Sequence, residues 1–294
     1  MLTAEELKGF AKSLSIPASG VCDAGEDSAL KAVLQKRRGQ CPPCIFEEKE
    51  AEKRVTPADL LPGAKSIFVC LFPYYRSGID PVNISRYAAI PDYHGIVRRY
   101  LSKIEDFIKE RDPKANCLAV CDTSPLVDRW LAYRAGLGFF GKNNLLIHPQ
   151  YGSWFFVGAL LVTVPLAADM PMDRECLDCG ACQKACPGGA LDGHFGFDCE
   201  RCISYLTQKK DVTEAQKKLL HGQNSVYGCD VCQAVCPHNK AVCDTPIQEF
   251  YEATLGGLDY DEIAAMSGRA YKKNYQQFPF SWCSRETILK NFNK

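Results

Sequence analysis

Four cysteines spaced Cys176-x2-Cys179-x2-Cys182-x3-Cys186, followed by Pro187, are the residues of this chain most able to do chemistry. Bacterial ferredoxins hold [4Fe-4S] clusters with this spacing. A tight loop with thiolates at x2 intervals reaches three corners of a cubane, and the fourth corner needs a cysteine from elsewhere. The run therefore indicates a protein that carries electrons.

A second, shorter run follows, Cys229-x2-Cys232-x3-Cys236, and Cys199 and Cys202 lie between the two runs. In two-cluster ferredoxins the cysteine before the proline ligates the other cluster. One predicted cluster therefore uses three cysteines of the first run and the last of the second, namely Cys176, Cys179, Cys182 and Cys236. The other uses Cys186, Cys229, Cys232 and one further cysteine. Spacing alone leaves Cys199 and Cys202 as candidates.

Two other uses of cysteine fit the sequence less well. Structural zinc sites usually use two separated CxxC pairs and not one continuous run. Disulfide frameworks suit short secreted chains, whereas this chain has 294 residues and 17 cysteines, an odd number. Its first residues, MLTAEELKGFAKSL, indicate an acidic amphipathic helix and not a targeting segment. Free thiols and oxygen-sensitive clusters together predict a cytoplasmic protein.

Composition limits the remaining possibilities. A hydrophobic content of 46% is sufficient for a core of one large or two medium domains. The formal net charge is zero, so no global field attracts the chain to nucleic acid or to a membrane surface. No run of about 18 apolar residues occurs, and we therefore expect no transmembrane helix.

The elements that must position the thiols follow from the apolar pattern. SIFVCLF at 66–72 and NCLAV at 116–120 predict buried strands, and 92–111 and 125–136 predict helices. A hairpin is predicted from 143–149 to 153–164. Alternating strands and helices favour an α/β layered fold. Asp122 follows a predicted strand directly, where open α/β sheets place active-site loops.

Composition changes near Pro165, where the cysteine-rich part begins. We therefore divide the chain into three segments. An α/β domain spans 1–165, a two-cluster ferredoxin-like module spans 166–245, and a C-terminal tail that packs on the body spans 246–294.

A series of short motifs supports a more specific interpretation. They are KRVTP at 53–57, LPGAKSI at 61–67, DYH at 92–94, CDTSPLVDR at 121–129, RAGLGFFGKNNLLI at 134–147, YGSWFFVGALL at 151–161, RCISYLTQ at 201–208 and YGCDVCQAVCPHNK at 227–240. In this order and at this spacing, the chain resembles the epoxyqueuosine reductase family, cobalamin-dependent iron–sulfur enzymes of tRNA modification.

The resemblance implies a fold and a reaction. It implies an N-terminal cobalamin-binding α/β domain with a nitroreductase-like layered sheet, which clamps the corrin against the ferredoxin-like module. Two [4Fe-4S] clusters then reduce the cobalt of cobalamin, and the epoxide oxygen of epoxyqueuosine leaves as water. The family's proton donor falls on Asp122, which can serve as an acid if burial near the corrin raises its pKa. The family's RCI cysteine falls on Cys202, which the resemblance makes the fourth ligand of the second cluster.

The resemblance also implies cofactor contacts and partners. The positions that match cobalamin-contacting segments are Arg54, Asp122, Lys142, Asn143, Leu146, Val157 and Ser204. We do not expect His94 or His148 to ligate cobalt, because the family binds cobalamin without a protein histidine. The implied partners are tRNA carrying epoxyqueuosine and an external electron donor such as a flavodoxin or ferredoxin, and we expect a monomer with no membrane partner.

Two departures from the family leave alternatives open. Family members that act on tRNA often continue into helical repeats, and this sequence ends at Lys294 where those would begin. The substrate could then differ, as in a reductive-dehalogenase-like or corrinoid-reducing enzyme, or the chain could be an electron-transfer protein alone. Cys41-Pro-Pro-Cys44 is the second departure, and it indicates either incidental thiols, a redox pair or an additional metal site.

Overall fold

A four-stranded antiparallel sheet forms the centre of the N-terminal half in the computed structural model, which describes residues 2–39, 41 and 44–293. Its strand order is β1-β2-β6-β3, and a separate two-stranded ribbon pairs β4 with β5. The strands are β1 (Ala18–Asp23), β2 (Ser66–Pro73), β3 (Cys117–Val120), β4 (Phe139–Phe140), β5 (Leu146–Ile147) and β6 (Phe155–Val162).

The predicted hairpin between 143–149 and 153–164 is wrong. Strand β5 pairs with β4, and β6 pairs with β2 and β3 in the central sheet. Between β5 and β6, the described structure has only an isolated antiparallel β-bridge from His148 to Gly152. Because the last six residues of β6 are all buried, the strand needs partners on both edges and cover on both faces, which a hairpin does not provide.

Helices cover both faces of the sheet, and strand β2 shows why. All eight of its residues are buried, and alternate side chains belong to different cores. Phe68 and Phe72 face a core built with helices α1 (Ala4–Ser13) and α4 (Tyr93–Arg111). Ile67, Val69 and Leu71 face a core built with helix α5 (Asp128–Arg134). The period of two residues is the strand geometry itself. The α/β layered fold predicted from the sequence is therefore confirmed, with an antiparallel sheet.

The helices have the following bounds. They are α1 (Ala4–Ser13), α2 (Ser28–Arg38), α3 (Ala51–Val55), α4 (Tyr93–Arg111), α5 (Asp128–Arg134), α6 (Ala181–Ala185), α7 (Ile203–Gln208), α8 (Glu214–His221), α9 (Val231–Ala234), α10 (Tyr260–Ala265), α11 (Gly268–Tyr275) and α12 (Arg285–Leu289). None of the helices in the described ranges is both long and apolar enough to cross a bilayer.

The cysteine-rich part and the C-terminal part pack against the sheet domain. Residues 163–180 form neither helix nor strand, and the short helices α6 and α9, one in each cysteine run, pack on each other. Helices α10–α12 build a separate core together with Ile84, Ala88 and Tyr227. Ile84 also forms a parallel bridge with Tyr227. The three segment boundaries drawn from the sequence stay a prediction.

Candidate active site

The loop after strand β3 places Asp122 at the surface in a backbone conformation that few residues adopt. Its φ angle is +60°, in the left-handed region that aspartate and asparagine tolerate better than most other residues. The side chain is 61% exposed, so a large substrate can reach it. The backbone N–H of Asp122 donates a hydrogen bond of 3.0 Å to Oδ2 of Asp128, at the start of helix α5.

A histidine between two carboxylates lies beside this loop. His94 Nε2 lies 3.3 Å from Oδ2 of Asp122, and its Nδ1 lies 2.7 Å from Oδ1 of Asp92. Asp92 also caps helix α4, because the same oxygen accepts the backbone N–H of His94 at 3.0 Å. The ring of Tyr93 stacks on His94 with centroids 4.1 Å apart. Asp92, His94 and Asp122 therefore form a hydrogen-bonded chain of three side chains. It runs from the half-buried Asp92 to the exposed loop that carries Asp122.

Hydrogen bonds within the Asp92–His94–Asp122 chain shift the pKa values of its members. Those from Asp122 and Asp92 raise the pKa of His94 to about 9, despite its partial burial. The hydrogen bond with His94 lowers the pKa of Asp122. The raised pKa that an acid role of Asp122 requires is thus not present in this arrangement. At neutral pH the proton resides on His94, directly behind the Asp122 carboxylate.

A second carboxyl group lies under the loop. Burial raises the pKa of Asp128 to about 7, and the Asp122 charge acts in the same direction. The carboxylate of Asp128 stabilises the left-handed turn, because it accepts a hydrogen bond from the backbone N–H of Asp122. We interpret Asp128 as a positioning residue for Asp122.

Four thiols of the two cysteine runs line one pocket, here called the first thiol group. They are Cys176, Cys179, Cys182 and Cys236. Burial raises the pKa of Cys236, and the three other thiols of the group add to the effect. Gly180, with φ +68°, provides the turn between Cys179 and helix α6.

The four remaining thiols predicted for the other cluster also lie together, and we call them the second thiol group. They are Cys186, Cys202, Cys229 and Cys232. Burial raises the pKa of Cys229 to about 11, with contributions from Cys202 and Cys186. Burial raises the pKa of Cys202, and the backbone N–H groups of Tyr205 and Ser204, at the start of helix α7, oppose this by donating to its sulfur. Such donors favour a thiolate, which is the form that binds iron.

Cys199 and Cys44 of the CxxC pair meet at the edge of the second thiol group. Cys199 is 2% exposed and belongs to a small core with Ile203 and Tyr205, against which Cys44 packs. Pro42 and Pro43 of the pair lie outside the described residues. Within the described ranges, no three histidine, cysteine or acidic side chains meet closely enough to chelate a single metal ion. A cubane presents four separate irons, so its thiolates need not converge on one point.

Three arginines, Arg37, Arg54 and Arg129, gather near the start of helix α5. Arg54 and Arg37 both contact Oε2 of Glu47, at 3.4 and 3.2 Å. Desolvation of the guanidinium lowers the pKa of Arg129 although its side chain is partly exposed, and the charges of Arg37 and Arg54 also lower it. Arg129 donates a hydrogen bond of 2.5 Å to the carbonyl oxygen of Asn144. The cluster combines like charges with one shared carboxylate, which favours an anionic ligand.

The other predicted contact positions are distributed unevenly. Asn143 is 6% exposed and donates its side-chain N–H to the carbonyl of Cys232 at 3.4 Å, so it touches the second thiol group. Lys142 pairs with Asp178 in the first cysteine run. Ser204 adjoins Cys202, as noted above. Leu146 and Val157 lie in the core on the α5 side of the sheet, where they expose almost no surface to a ligand.

Three side chains in the arginine cluster and in the segments next to it carry a buried polar atom that has no partner in the described structure. The atoms are Nε of Arg54, Oγ of Ser124 and Nδ2 of Asn144. An unpartnered buried polar group costs about 1–3 kcal/mol, so each is expected to find a ligand group. A cofactor rimmed with amides, which both donate and accept, satisfies this requirement.

Comparisons with known proteins agree with this geometry. Residues 54–123 match the family described as "Epoxyqueuosine reductase QueG, DUF1730", and residues 175–239 match the "4Fe-4S double cluster binding domain". The epoxyqueuosine reductase of Bacillus subtilis (strain 168) is 33% identical over 98% of this chain and 77% of its own length. The chain belongs to the epoxyqueuosine reductase family. It is accordingly an oxidoreductase, and its cysteine runs form a double [4Fe-4S] domain.

Two solved structures of the epoxyqueuosine reductase family align along nearly the whole chain. One is an epoxyqueuosine reductase with an epoxyqueuosine-modified tRNA-Tyr stem loop, with a TM-score of 0.87 and 32% identity over 98% of this chain and 79% of the other. Another, from Bacillus subtilis, has its catalytic aspartate loop swung out of the active site, with a TM-score of 0.84 and 31% identity over the same shares. The predicted family membership is therefore confirmed.

Several site residues were missed in the sequence. Asp128 and Arg129 belong to the CDTSPLVDR motif, but only Asp122 was selected from it. For His94 the sequence indicated only that it does not ligate cobalt, and it gave no sign of its contact with Asp122. Arg37 carries no motif signal, because helix α2 reads as an ordinary basic surface helix.

Proposed function

We propose that this chain reduces epoxyqueuosine to queuosine in tRNA, with His94 and Asp122 as its proton-transfer pair. The single observation that carries the proposal is the Asp92–His94–Asp122 chain, which opens onto a surface loop in a protein of this family. The family member with a bound epoxyqueuosine-modified stem loop supports the substrate. The member whose catalytic aspartate loop swings out supports a mobile Asp122 loop.

The reaction needs two electrons and two protons. Both carbon–oxygen bonds of the epoxide break, a carbon–carbon double bond forms, and the oxygen leaves as water. Two [4Fe-4S] clusters supply the electrons one at a time, and cobalamin supplies the reduced metal that acts on the substrate. The protein's own contribution is to bind the nucleoside, exclude competing reactions and deliver protons to the departing oxygen.

His94 and Asp122 act together to deliver protons to the substrate. Protonated His94 donates through Nε2 to the Asp122 carboxylate, and Asp122 presents that proton to the epoxide oxygen. Asp92 holds the opposite ring nitrogen at 2.7 Å, which fixes the ring orientation. After transfer, a second proton reaches His94 from solvent, because its side chain is 27% exposed.

The described residues fit cobalamin between Asp122 and the second thiol group. The unpartnered atoms of Arg54, Ser124 and Asn144 suit the amide rim of the corrin. The cluster of Arg37, Arg54 and Arg129 suits its phosphate. Asn143 connects this region to the loop of Cys232. Contacts from Leu146, Val157, Lys142 and Ser204 stay predictions.

Each thiol group holds one cluster in this proposal, and electrons enter at the first group. Cys179 is exposed and its neighbour Leu177 is 62% exposed, so a donor protein can approach this cluster. The second group adjoins the proposed cobalamin position through Asn143. A flavodoxin or ferredoxin donor, a monomeric state, a cytoplasmic location and a nitroreductase-like sheet stay predictions from the sequence.

The choice between Cys202 and Cys199 has a direct consequence. Cys202→Ser should lose about half of the bound iron, because a [4Fe-4S] cluster needs a thiolate on each iron. Cys199→Ser is the matched control and should retain all of it, since its thiol faces the small core with Ile203. Iron quantitation after anaerobic reconstitution measures both. The reverse pattern would assign the ligand to Cys199.

The arginine cluster predicts a loss of cofactor affinity. Arg129→Gln should weaken cobalamin binding by about 10- to 100-fold, because a charge-assisted hydrogen bond contributes about 1.5–3 kcal/mol. Arg111→Gln, which removes an arginine that stacks on Phe107 on the other side of the sheet, serves as the control. Spectroscopic titration with cobalamin gives the dissociation constants, and equal values for the two variants would contradict the assignment.

Cobalamin retention tests the proposal at its cofactor. The protein is reconstituted anaerobically with iron, sulfide and cobalamin, and free corrin is removed by gel filtration. We expect a visible corrin spectrum to elute with the protein near one equivalent. Protein that holds its full iron content but no corrin would contradict the proposed function and favour an electron-transfer protein.

A further inference from the structure

A histidine in the second cysteine run has a buried nitrogen without a partner. His238 Nε2 is inaccessible to solvent and forms no hydrogen bond in the described structure. The residue lines the same pocket as the first thiol group. A buried ring nitrogen without a partner is costly, so the missing partner is expected to be whatever fills that pocket.

The surroundings of His238 keep the ring in place. Its ring packs edge-on against Phe139 with centroids 5.1 Å apart. The next residue, Asn239, is buried and makes three side-chain hydrogen bonds, at 2.8 Å and 2.9 Å with Ser153 and at 2.8 Å with the carbonyl of Gln233. The backbone N–H of Asn239 also donates to the carbonyl of Cys236 at 2.9 Å. The imidazole is therefore fixed relative to the Cys236 ligand before any cluster binds.

The other polar groups of the pocket are already engaged. Lys142 pairs with Asp178, and Asn143 donates to Cys232 and accepts from the N–H of Leu145. Apart from these, the described lining is mainly glycine, proline, isoleucine, leucine and the four thiols. Among the described lining side chains, His238 contributes the buried nitrogen that lacks a partner.

We propose that His238 donates a hydrogen bond from Nε2 to a sulfur atom of the cluster held by Cys176, Cys179, Cys182 and Cys236, and so raises its reduction potential. The proposal rests on the assignment of the first thiol group to one cluster. The reduced cluster carries one more negative charge than the oxidised cluster. A hydrogen bond to sulfur is therefore stronger in the reduced state, which favours reduction.

The consequence for function concerns where electrons enter. A higher potential at the first cluster makes it easier for an external donor to reduce. His238 would then be a residue of this chain that sets the first electron-transfer step by acting on the cluster.

The test is a redox titration of the reconstituted protein followed by electron paramagnetic resonance, without substrate. His238→Phe keeps the ring contact with Phe139 and removes the donor. We expect the equilibrium constant for reduction of the first cluster to fall about tenfold, which is a shift of about 59 mV for one electron. His238→Gln keeps an N–H donor and should stay close to the wild type. The second cluster is the internal control and should not shift.

Iron content distinguishes a failure of the cluster assignment from a failure of the role proposed for His238. If the wild type binds only half of the expected iron, the cluster assignment and the proposed function are contradicted. If His238→Phe holds full iron and both midpoints are unchanged, only the role of His238 is overturned.

A measurement on the wild type covers the case in which His238→Phe loses the cluster. The chain is labelled with ¹⁵N-histidine, and pulsed electron paramagnetic resonance is recorded on the reduced first cluster. A hydrogen bond from His238 predicts a ¹⁵N coupling that is absent from His238→Gln. A spectrum of the labelled wild type without that coupling would overturn the proposal.

Discussion

Asp122→Asn is expected to lower the rate of queuosine formation by about 10²–10⁴-fold, which is the usual contribution of a positioned acid. Asparagine tolerates the left-handed conformation at φ +60° and still accepts from His94, so the loop keeps its shape. It has no carboxyl group to receive and pass on a proton. Turnover of tRNA bearing epoxyqueuosine, followed by nucleoside mass spectrometry, measures the effect.

Cofactor loading decides how the Asp122→Asn result is interpreted. Iron and corrin content should equal those of the wild type, because Asp122 is not a cluster ligand and asparagine keeps the size and the oxygen acceptor of this predicted cobalamin contact. Asp106→Asn changes an exposed carboxylate on the outer face of helix α4 and should keep full activity. A fully loaded Asp122→Asn protein with the wild-type rate would show that Asp122 does not transfer the proton.

His94→Gln is expected to lower turnover by at least about 10²-fold and to change its dependence on pH. In the wild type the rate should fall as pH rises through about 9, because His94 then loses its proton. Glutamine can still donate to Asp122 but cannot supply a titrating proton. The alkaline decline near pH 9 should therefore disappear in the variant. Turnover rates of both proteins, measured from pH 6 to 10 at equal iron and corrin content, test this prediction.

The sign of the stability effect follows from the same pKa. The pKa of His94 is raised from 6.5 to about 9 in the folded chain by Asp122 and Asp92. Its contribution to stability is thus complete below pH 6.5 and is lost as pH rises through 9. Arg98, Tyr93 and Cys121 also lie near this pair.

His194→Gln, at an exposed loop position, is the control for the turnover measurement on His94→Gln. It should leave the alkaline decline in turnover rate unchanged.

Much of the fold could be predicted because local patterns determined it. Strand β2 is apolar from Ile67 to Pro73, and helix α4 repeats apolar residues at helical spacing, so both were located to within two residues. The pairing of β6 could not be predicted. A hairpin and a central strand have the same apolar pattern, and only the packing of α4 and α5 on opposite faces distinguishes them.

The position of Asp122 was predicted partly for the wrong reason. Its loop was placed by analogy with parallel α/β sheets, in which strand ends gather at one edge. Strand β3 instead pairs antiparallel with β6. What makes the loop an active-site candidate is the neighbouring His94 at the start of helix α4, which comes from a distant part of the sequence.

Seven of the eight predicted cluster cysteines could be grouped from spacing because a cubane imposes its geometry on the sequence, whereas Cys202 was assigned from the family resemblance. The structure places Cys176 and Cys236 in one pocket, as the ferredoxin spacing led us to expect. The arginine cluster could not be foreseen, since Arg37 and Arg129 are far apart in sequence and meet only after folding. Similarly, the partnerless nitrogen of His238 is a property of its packing and not of any motif.

The most direct test of the central claim is turnover by the fully loaded wild-type chain. Protein with its full iron content and one equivalent of cobalamin is incubated anaerobically with a reductant and tRNA bearing epoxyqueuosine. After digestion, mass spectrometry should show queuosine, one oxygen lighter than the starting nucleoside, in the wild type and only traces in Asp122→Asn. Epoxyqueuosine that remains unchanged with a fully loaded wild-type enzyme would contradict the account.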